Sequence, residues 1–355
     1  MTSPLPYFDG HNDYLLRLMT SPTPREDLWL GDTGQGHMDL KRMKAGGFVG
    51  GFFAVFVPPV RTGEPTDFLS RMANPPYDLP LPPLMTHDES QATALTMVGH
   101  MHWMERSAPD DFAICRTPSQ VRAAIDTGKI AGILHIEGAE AIGPDLDALY
   151  LFHDMGLRSL GPVWSRPTIF GHGVPMRFPG DPDTGPGLTG EGKDLVRLCN
   201  DLGIMIDLSH LNAAGFEDVA KISTKPLVAT HSNAHALTPS TRNLTDRQLD
   251  QIRDTGGMAG LNYAMVFLAE DGISNPDMGF DPMLRHLDYM LERLGEDHVG
   301  LGSDFDGAQI PAALGDVAGM PGFFAAMEAH GYGTDLIAKI ACDNWLALIE
   351  RTMTP

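Results

Sequence analysis

The sequence predicts an α/β fold, a distorted (β/α)8 TIM barrel with long loops on the C-terminal face. Eight short apolar runs alternate with helix-patterned segments, as expected for βα units that build a parallel sheet. Two long loops each follow an expected strand, on the face where barrels carry their chemistry. No Gly-x-Gly-x-x-Gly follows the first strand, which disfavours a doubly wound open sheet.

The expected strands, in order, are Tyr7–Asp9, Phe48–Val57, Ile130–Glu137, Leu157–Val163, Ile204–Leu208, Leu227–Thr230, Met258–Asn262 and Val299–Ser303. Helices between them follow from periodicity. Leu195, Leu198, Cys199 and Leu202 recur at i, i+3, i+4 and i+7, with Thr189 as cap and Gly203 as stop. Leu284, Leu287, Leu291 and Leu294 form a second stripe that ends at Gly295, and Leu336, Ile340 and Trp345 begin a C-terminal one. These stripes read as core packing. The first loop, Pro58 to Pro83, holds eight prolines, and the second runs from Ser165 to Leu188. No linker interrupts the pattern, so residues 1–355 read as a single domain.

At 43% hydrophobic residues the chain can bury a large core, which excludes intrinsic disorder. Its 25 Lys and Arg against 46 Asp and Glu leave a net charge of −21. Such a surface repels phosphate backbones and anionic lipids, so neither nucleic acid nor membrane is an expected partner. Cys115, Cys199 and Cys342 match no zinc or redox spacing and fit a reducing compartment. The N-terminus lacks the basic and apolar regions of a signal peptide, and Leu348 to Pro355 carries no anchor tail. The expected location is cytoplasmic.

Polar residues fall where the strands end. His11 and Asp13 follow the first strand, Glu137 ends the third, and His210 and His231 follow the fifth and sixth. Asp304 follows the eighth, in Gly302-Ser303-Asp304-Phe305-Asp306-Gly307. On a barrel all six converge at one mouth. Three His with up to three carboxylates form a ligand set for Zn²⁺ or a similar divalent ion. In His-x-Asp on a strand, residues i and i+2 face the same way and can reach one ion. Taken alone, His-x-Asp is a weak signal, because a chain with 14 His often contains one by chance. Glu137, inside an apolar run, is harder to dismiss, since an unpaired carboxylate there is costly. One carboxylate can bridge two ions about 3.5–4 Å apart, which would share a hydroxide that attacks the substrate.

Asp9-Gly10-His11-Asn12-Asp13, Ile136-Glu137-Gly138, Leu208-Ser209-His210, His231-Ser232-Asn233-Ala234 and Gly302-Ser303-Asp304-Phe305-Asp306-Gly307 together resemble the renal (membrane) dipeptidase family. These are the M19 metallopeptidases of the amidohydrolase superfamily. The resemblance spans about residues 7 to 350. It implies two Zn²⁺ per chain. His11, Asp13 and Glu137 would hold one, and Glu137 would bridge to a second completed by His210 and His231. By the same resemblance Asp304 is the catalytic acid/base, and Arg242 receives the substrate carboxylate. The family prototype has a carbonyl-contacting histidine after the fourth strand; here Trp164 stands there, and an indole donates but does not accept. His172, in the following loop, could substitute. His235 stands where bacterial relatives carry Arg, and His135 could orient a ligand or simply pack.

The implied reaction is hydrolysis of free dipeptides, L-Xaa-L-Xaa and L-Xaa-D-Xaa, by an enzyme that resemblance alone makes a homodimer. Two other readings stay open. One is another amidohydrolase-type hydrolysis, of a lactone, cyclic amide or phosphoester; such barrels usually bridge their metals with a carboxylated Lys on the fourth strand, and none lies near residues 157–163. The other is a catalytically silent binding protein, which would be expected to have lost a ligand or Asp304.

Overall fold

The computed structural model describes residues 4–59 and 71–354. Residues 60–70 of the Pro58–Pro83 loop lie outside the described residues. The strands are β1 (Tyr7–Asn12), β2 (Phe48–Phe56), β3 (Tyr77–Asp78), β4 (Phe112–Ile114), β5 (Ile130–Glu137), β6 (Leu157–Gly161), β7 (Arg177–Phe178), β8 (Met205–Ile206), β9 (Val228–Ala229), β10 (Met258–Leu261) and β11 (Val299–Leu301).

A curled parallel sheet runs β1-β2-β5-β6-β8, with β4 paired to the outer start of β5. A second parallel sheet runs β11-β10-β9. Isolated parallel bridges, Asn12 to Phe305 and Asp207 to Val228, join the two sheets at both seams. All eight residues of β5 are buried, which is why it reads as a continuous apolar run. Its register aligns Phe56 with Glu137 and Glu137 with Gly161, so the carboxylate stands level with the ends of both neighbours.

All eight expected strands are present, the third with the expected bounds and the others with altered ends. The first is longer, so that His11 lies on the strand, whereas the fourth stops at Gly161 before Pro162, which cannot donate to a ladder. The fifth and sixth shrink to two residues each, because their flanks bend into the turns that carry His210 and His231. Three short strands were not expected. In particular, β3 and β7 pair antiparallel and tie the two long loops together. Two-residue strands are too short to leave a periodic signal.

The helix Gly190–Leu202 is capped as expected: Thr189 accepts from the Gly192 N–H, and Gly203 closes it in left-handed backbone. The helix Asp281–Leu294 likewise ends before Gly295. The C-terminal stripe contains a π-helical turn, Lys339–Asp343. That turn explains the five-residue step from Ile340 to Trp345, which an α-helical period does not accommodate. Trp345 is fully buried and donates its indole N–H to the Leu301 carbonyl at 2.9 Å. Beneath it lies Gly10, where a Cβ would come within 2.5 Å of both the Trp345 ring and the Thr230 carbonyl. Only glycine lets β1 pass there, one residue before His11.

Candidate metal centre

The ends of five strands supply the side chains. His11 lies one residue before the end of β1, and Asp13 follows the strand with its N–H bonded to the Phe305 carbonyl at 2.8 Å. The Asp304 N–H returns to the His11 carbonyl at 3.0 Å, so this seam fixes His11, Asp13 and Asp304 together. Asp9 reinforces it, accepting from the Ser303 N–H and hydroxyl at 2.8 Å each. His210 and Asp304 have left-handed backbone, with φ of 69° and 61°. Strain of this kind in non-glycine residues is kept where the surroundings over-determine the geometry.

The side chains converge on Glu137. Its Oε1 lies 3.1 Å from His210 Nε2, 3.4 Å from His231 Nε2 and 3.9 Å from His11 Nε2. The two nitrogens of His210 and His231 face each other at 3.3 Å, and His11 Nε2 is 3.4 Å from Asp13 Oδ2. His11, Glu137 and His231 each offer an atom within 4.8 Å of the others, as do His11, Asp13 and Asp304. Both ring nitrogens of His11 and Oδ1 of Asp13 are buried without a hydrogen-bond partner. Buried polar atoms are normally satisfied, so unpaired His and carboxylate atoms clustered within a few ångströms of one another fit a cation.

The electrostatics agree. Burial opposes charging of His11, yet Glu137, Asp13 and Asp304 outweigh it and push the imidazole up to about 10. Glu137 is held well above the carboxylate range by burial, with Asp13 and Asp304 adding to the rise. Burial, His11 and Arg242 keep His210 and His231 neutral, the form that donates a lone pair. A cation would relieve the crowding of the carboxylates and use the neutral rings.

Asp13, Glu137, Trp164, His210 and Asp304 line a cleft of about 430 Å³, walled by Phe56, Met72, Met176 and Phe267. The long loops thus form part of the mouth. A hollow of about 860 Å³ nearby, bordered by Glu270, Asp271, Asp281 and Arg285, has no histidine in its lining. Asp304 is raised by burial first and then by Asp13, and accepts from the Asn262 side chain at 2.9 Å. Trp164 is half-buried, its ring 5.0 Å from that of Phe56 and 5.8 Å from that of His210.

Arg242 is buried beside the centre and does not line the cleft. It donates to Ser232 Oγ at 2.9 Å and to the His231 carbonyl at 3.0 Å, while its Nε has no hydrogen-bond partner. His172 is half-buried in its loop and is not among the cleft residues. His235 contacts the Gly180 carbonyl through Nε2 at 2.7 Å. His135 lies under the centre, with Nδ1 2.8 Å from Ser159 Oγ and Nε2 3.6 Å from Asp207. Asn262 was overlooked in sequence although it ends an expected strand, the same signal that marks Glu137. Asp9 and Ser303 were overlooked because their partnership crosses 294 residues.

The sequence profile of the membrane dipeptidase family, peptidase family M19, matches residues 1–354. The chain belongs to that family. A solved M19 metallopeptidase, dipeptidase AC, is similar at 60% identity and a TM-score of 0.95, over 98% of this chain and 99% of that one. A metallopeptidase from Rhodobacter sphaeroides, solved with a phosphinate mimic of the dipeptide L-Ala-D-Ala, is also 60% identical, with a TM-score of 0.96 and the same coverage. An uncharacterised protein encoded in the PQQ-III 3' region of Acinetobacter calcoaceticus is 40% identical over 294 residues, covering 82% of this chain and 90% of that one. This M19 chain is thus a dipeptidase by family and by structure, and the family's metal requirement is matched by a buried His and carboxylate donor set. Among the described residues no helix is long and apolar enough to cross a membrane.

Proposed function

We propose that this M19 chain is a binuclear zinc dipeptidase that hydrolyses free dipeptides, L-Xaa-L-Xaa and L-Xaa-D-Xaa. The observation that carries the reading is one carboxylate oxygen, Glu137 Oε1, within 4 Å of three imidazole nitrogens from three strand ends. His11 and Asp13 would hold one ion, His210 and His231 the other, and Glu137 both. Zinc ions bound there supply Lewis acidity and a nucleophile at neutral pH.

The remaining roles belong to the protein. Asp304 carries the proton to the leaving amine; burial lets its carboxyl hold a proton, and Asn262 orients it. Arg242 neutralises the substrate carboxylate, with Ser232 and the His231 carbonyl keeping the guanidinium in place. The Trp164 ring bounds the cleft where the family's histidine would contact the scissile carbonyl, and His172 lies outside the cleft lining. The L-Ala-D-Ala mimic held by the Rhodobacter relative supports a D residue at the second position.

The reading takes residues 1–355 as one domain on a (β/α)8 barrel, which the two bridged seams support. It takes the cytoplasm as the compartment, since all three cysteines are free and buried, and a homodimer as the assembly. Plasma-emission analysis of metal-replete protein tests it. About two zinc ions per chain are expected, and Glu137→Ala should lose both because neither site keeps its shared ligand. One ion or none in active wild-type protein would contradict the reading.

A further inference from the structure

Beneath the His231 ring runs a hydrogen-bonded chain that no step above uses. Asp207 is buried just after β8, with 1% of its surface exposed. Its Oδ1 accepts from the Thr230 N–H at 2.9 Å and the Ser209 N–H at 3.0 Å. Its Oδ2 accepts the Thr230 hydroxyl at 2.6 Å, a short contact of the charge-assisted kind. The Thr230 oxygen in turn lies 2.8 Å from His231 Nδ1.

The geometry points to Asp207 and Thr230 as positioning residues that set the tautomer of His231. A hydroxyl has one proton, and the carboxylate takes it. Toward His231 the Thr230 oxygen can then only accept, so Nδ1 carries the ring proton. The Nε2 lone pair is left free on the side facing Glu137 and His210, 3.4 Å and 3.3 Å away. Imidazole binds a metal only through an unprotonated nitrogen, and a partner on the far nitrogen both orients the ring and raises its basicity. Asp207 therefore acts on the metal centre through an intervening hydroxyl, from the adjacent strand. The isolated bridge from Asp207 to Val228 holds those strands in register.

The chain also makes a distinctive prediction about Asp207→Asn. The amide oxygen can keep both backbone N–H partners, while the NH₂ group faces the Thr230 hydroxyl. The hydroxyl must then accept from the amide and donate to His231 Nδ1. The ring proton moves to Nε2, and the ligand is lost with little change in shape.

This inference rests on His231 being a ligand, as proposed above. The test is Zn²⁺ affinity by chelator competition and the visible spectrum of Co²⁺-loaded protein, for wild type, Thr230→Val, Thr230→Ser, Asp207→Asn and His231→Ala. Thr230→Val and Asp207→Asn should weaken one ion by about 10- to 100-fold and alter the Co²⁺ bands, while Thr230→Ser stays near wild type. Wild-type affinity and spectrum in Thr230→Val would overturn the relay, and so would failure of Thr230→Ser to restore them. If Thr230→Val does not fold, Asp207→Asn decides by the same criteria. Retention of both ions by His231→Ala would overturn the ligand assignment itself, a separate result from failure of the relay.

Discussion

Asp304 combines left-handed backbone, a half-buried position at the cleft and a hydrogen bond from Asn262, all to present one carboxylate beside Asp13. Gly307 makes that pairing possible: a Cβ there would lie 2.0 Å from Asp13 Oδ2 and 2.6 Å from Asp304 Oδ1. Asp304→Asn should therefore keep the metals and lose roughly 10²–10⁴ in kcat, the usual range for general acid–base catalysis. Near-normal turnover would assign the proton to another group. Trp164 bounds the cleft but brings no acceptor and no ionisable group, so Trp164→Phe should raise KM more than it lowers kcat. A large loss in kcat at unchanged KM would instead assign the indole N–H to transition-state stabilisation. At this scale Glu137 was legible, because a carboxylate within an apolar run demands an explanation. Thr230 was not, since a threonine at a strand end is ordinary until its hydroxyl is seen between Asp207 and His231.

Among the elements, the turn carrying His231 leans on a helix far away in sequence. His286, on the helix Asp281–Leu294, is almost fully buried; its Nδ1 accepts from the Ala234 N–H at 3.1 Å, and Nε2 lies 3.2 Å from the Thr238 hydroxyl. Burial depresses the imidazole from 6.5 to about 4, with Arg285 acting in the same direction. The unfolded chain takes up the proton near pH 6.5 and the folded protein does not. The contribution of His286 is thus complete above pH 6.5 and is lost as pH falls toward about 4, by roughly 3 kcal/mol in all. His286→Asn keeps an acceptor for Ala234 and removes the titration. Denaturant unfolding of the metal-free proteins should show a shallower loss of stability for this variant between pH 6.5 and 4; equal slopes would contradict the argument. The same helix shows what periodicity can do. Its leucine stripe and stop at Gly295 are visible in sequence, whereas the π turn at Lys339–Asp343 registers only as an awkward spacing. β3 and β7 leave no trace because each is two residues long and their pairing joins distant loops.

For the molecule as a whole, the order of polar residues at strand ends was the most legible feature, because parallel strands bring their C-terminal ends to one face, so that chain order becomes a cluster of side chains there. The supports of that cluster were less legible: Asp9 with Ser303 and Asp207 with Thr230 are paired across seams that only the three-dimensional structure brings together. On the proposed reading the cluster also limits substrate length. A free α-amine can approach the acidic centre around Glu137, Asp13 and Asp304, while Arg242 supplies a buried positive charge for a terminal carboxylate. An acidic centre in the cleft and a buried positive charge beside it suit a substrate of two residues. A comparison of the metal-replete protein's kcat/KM on a dipeptide, its C-terminal amide and the matching tripeptide decides whether two anchors select the substrate. The dipeptide should be hydrolysed fastest, with the amide slower by about 10- to 150-fold, the equivalent of a hydrogen bond to a charged group, and the tripeptide slower still. Comparable rates on all three would contradict the two-anchor dipeptidase.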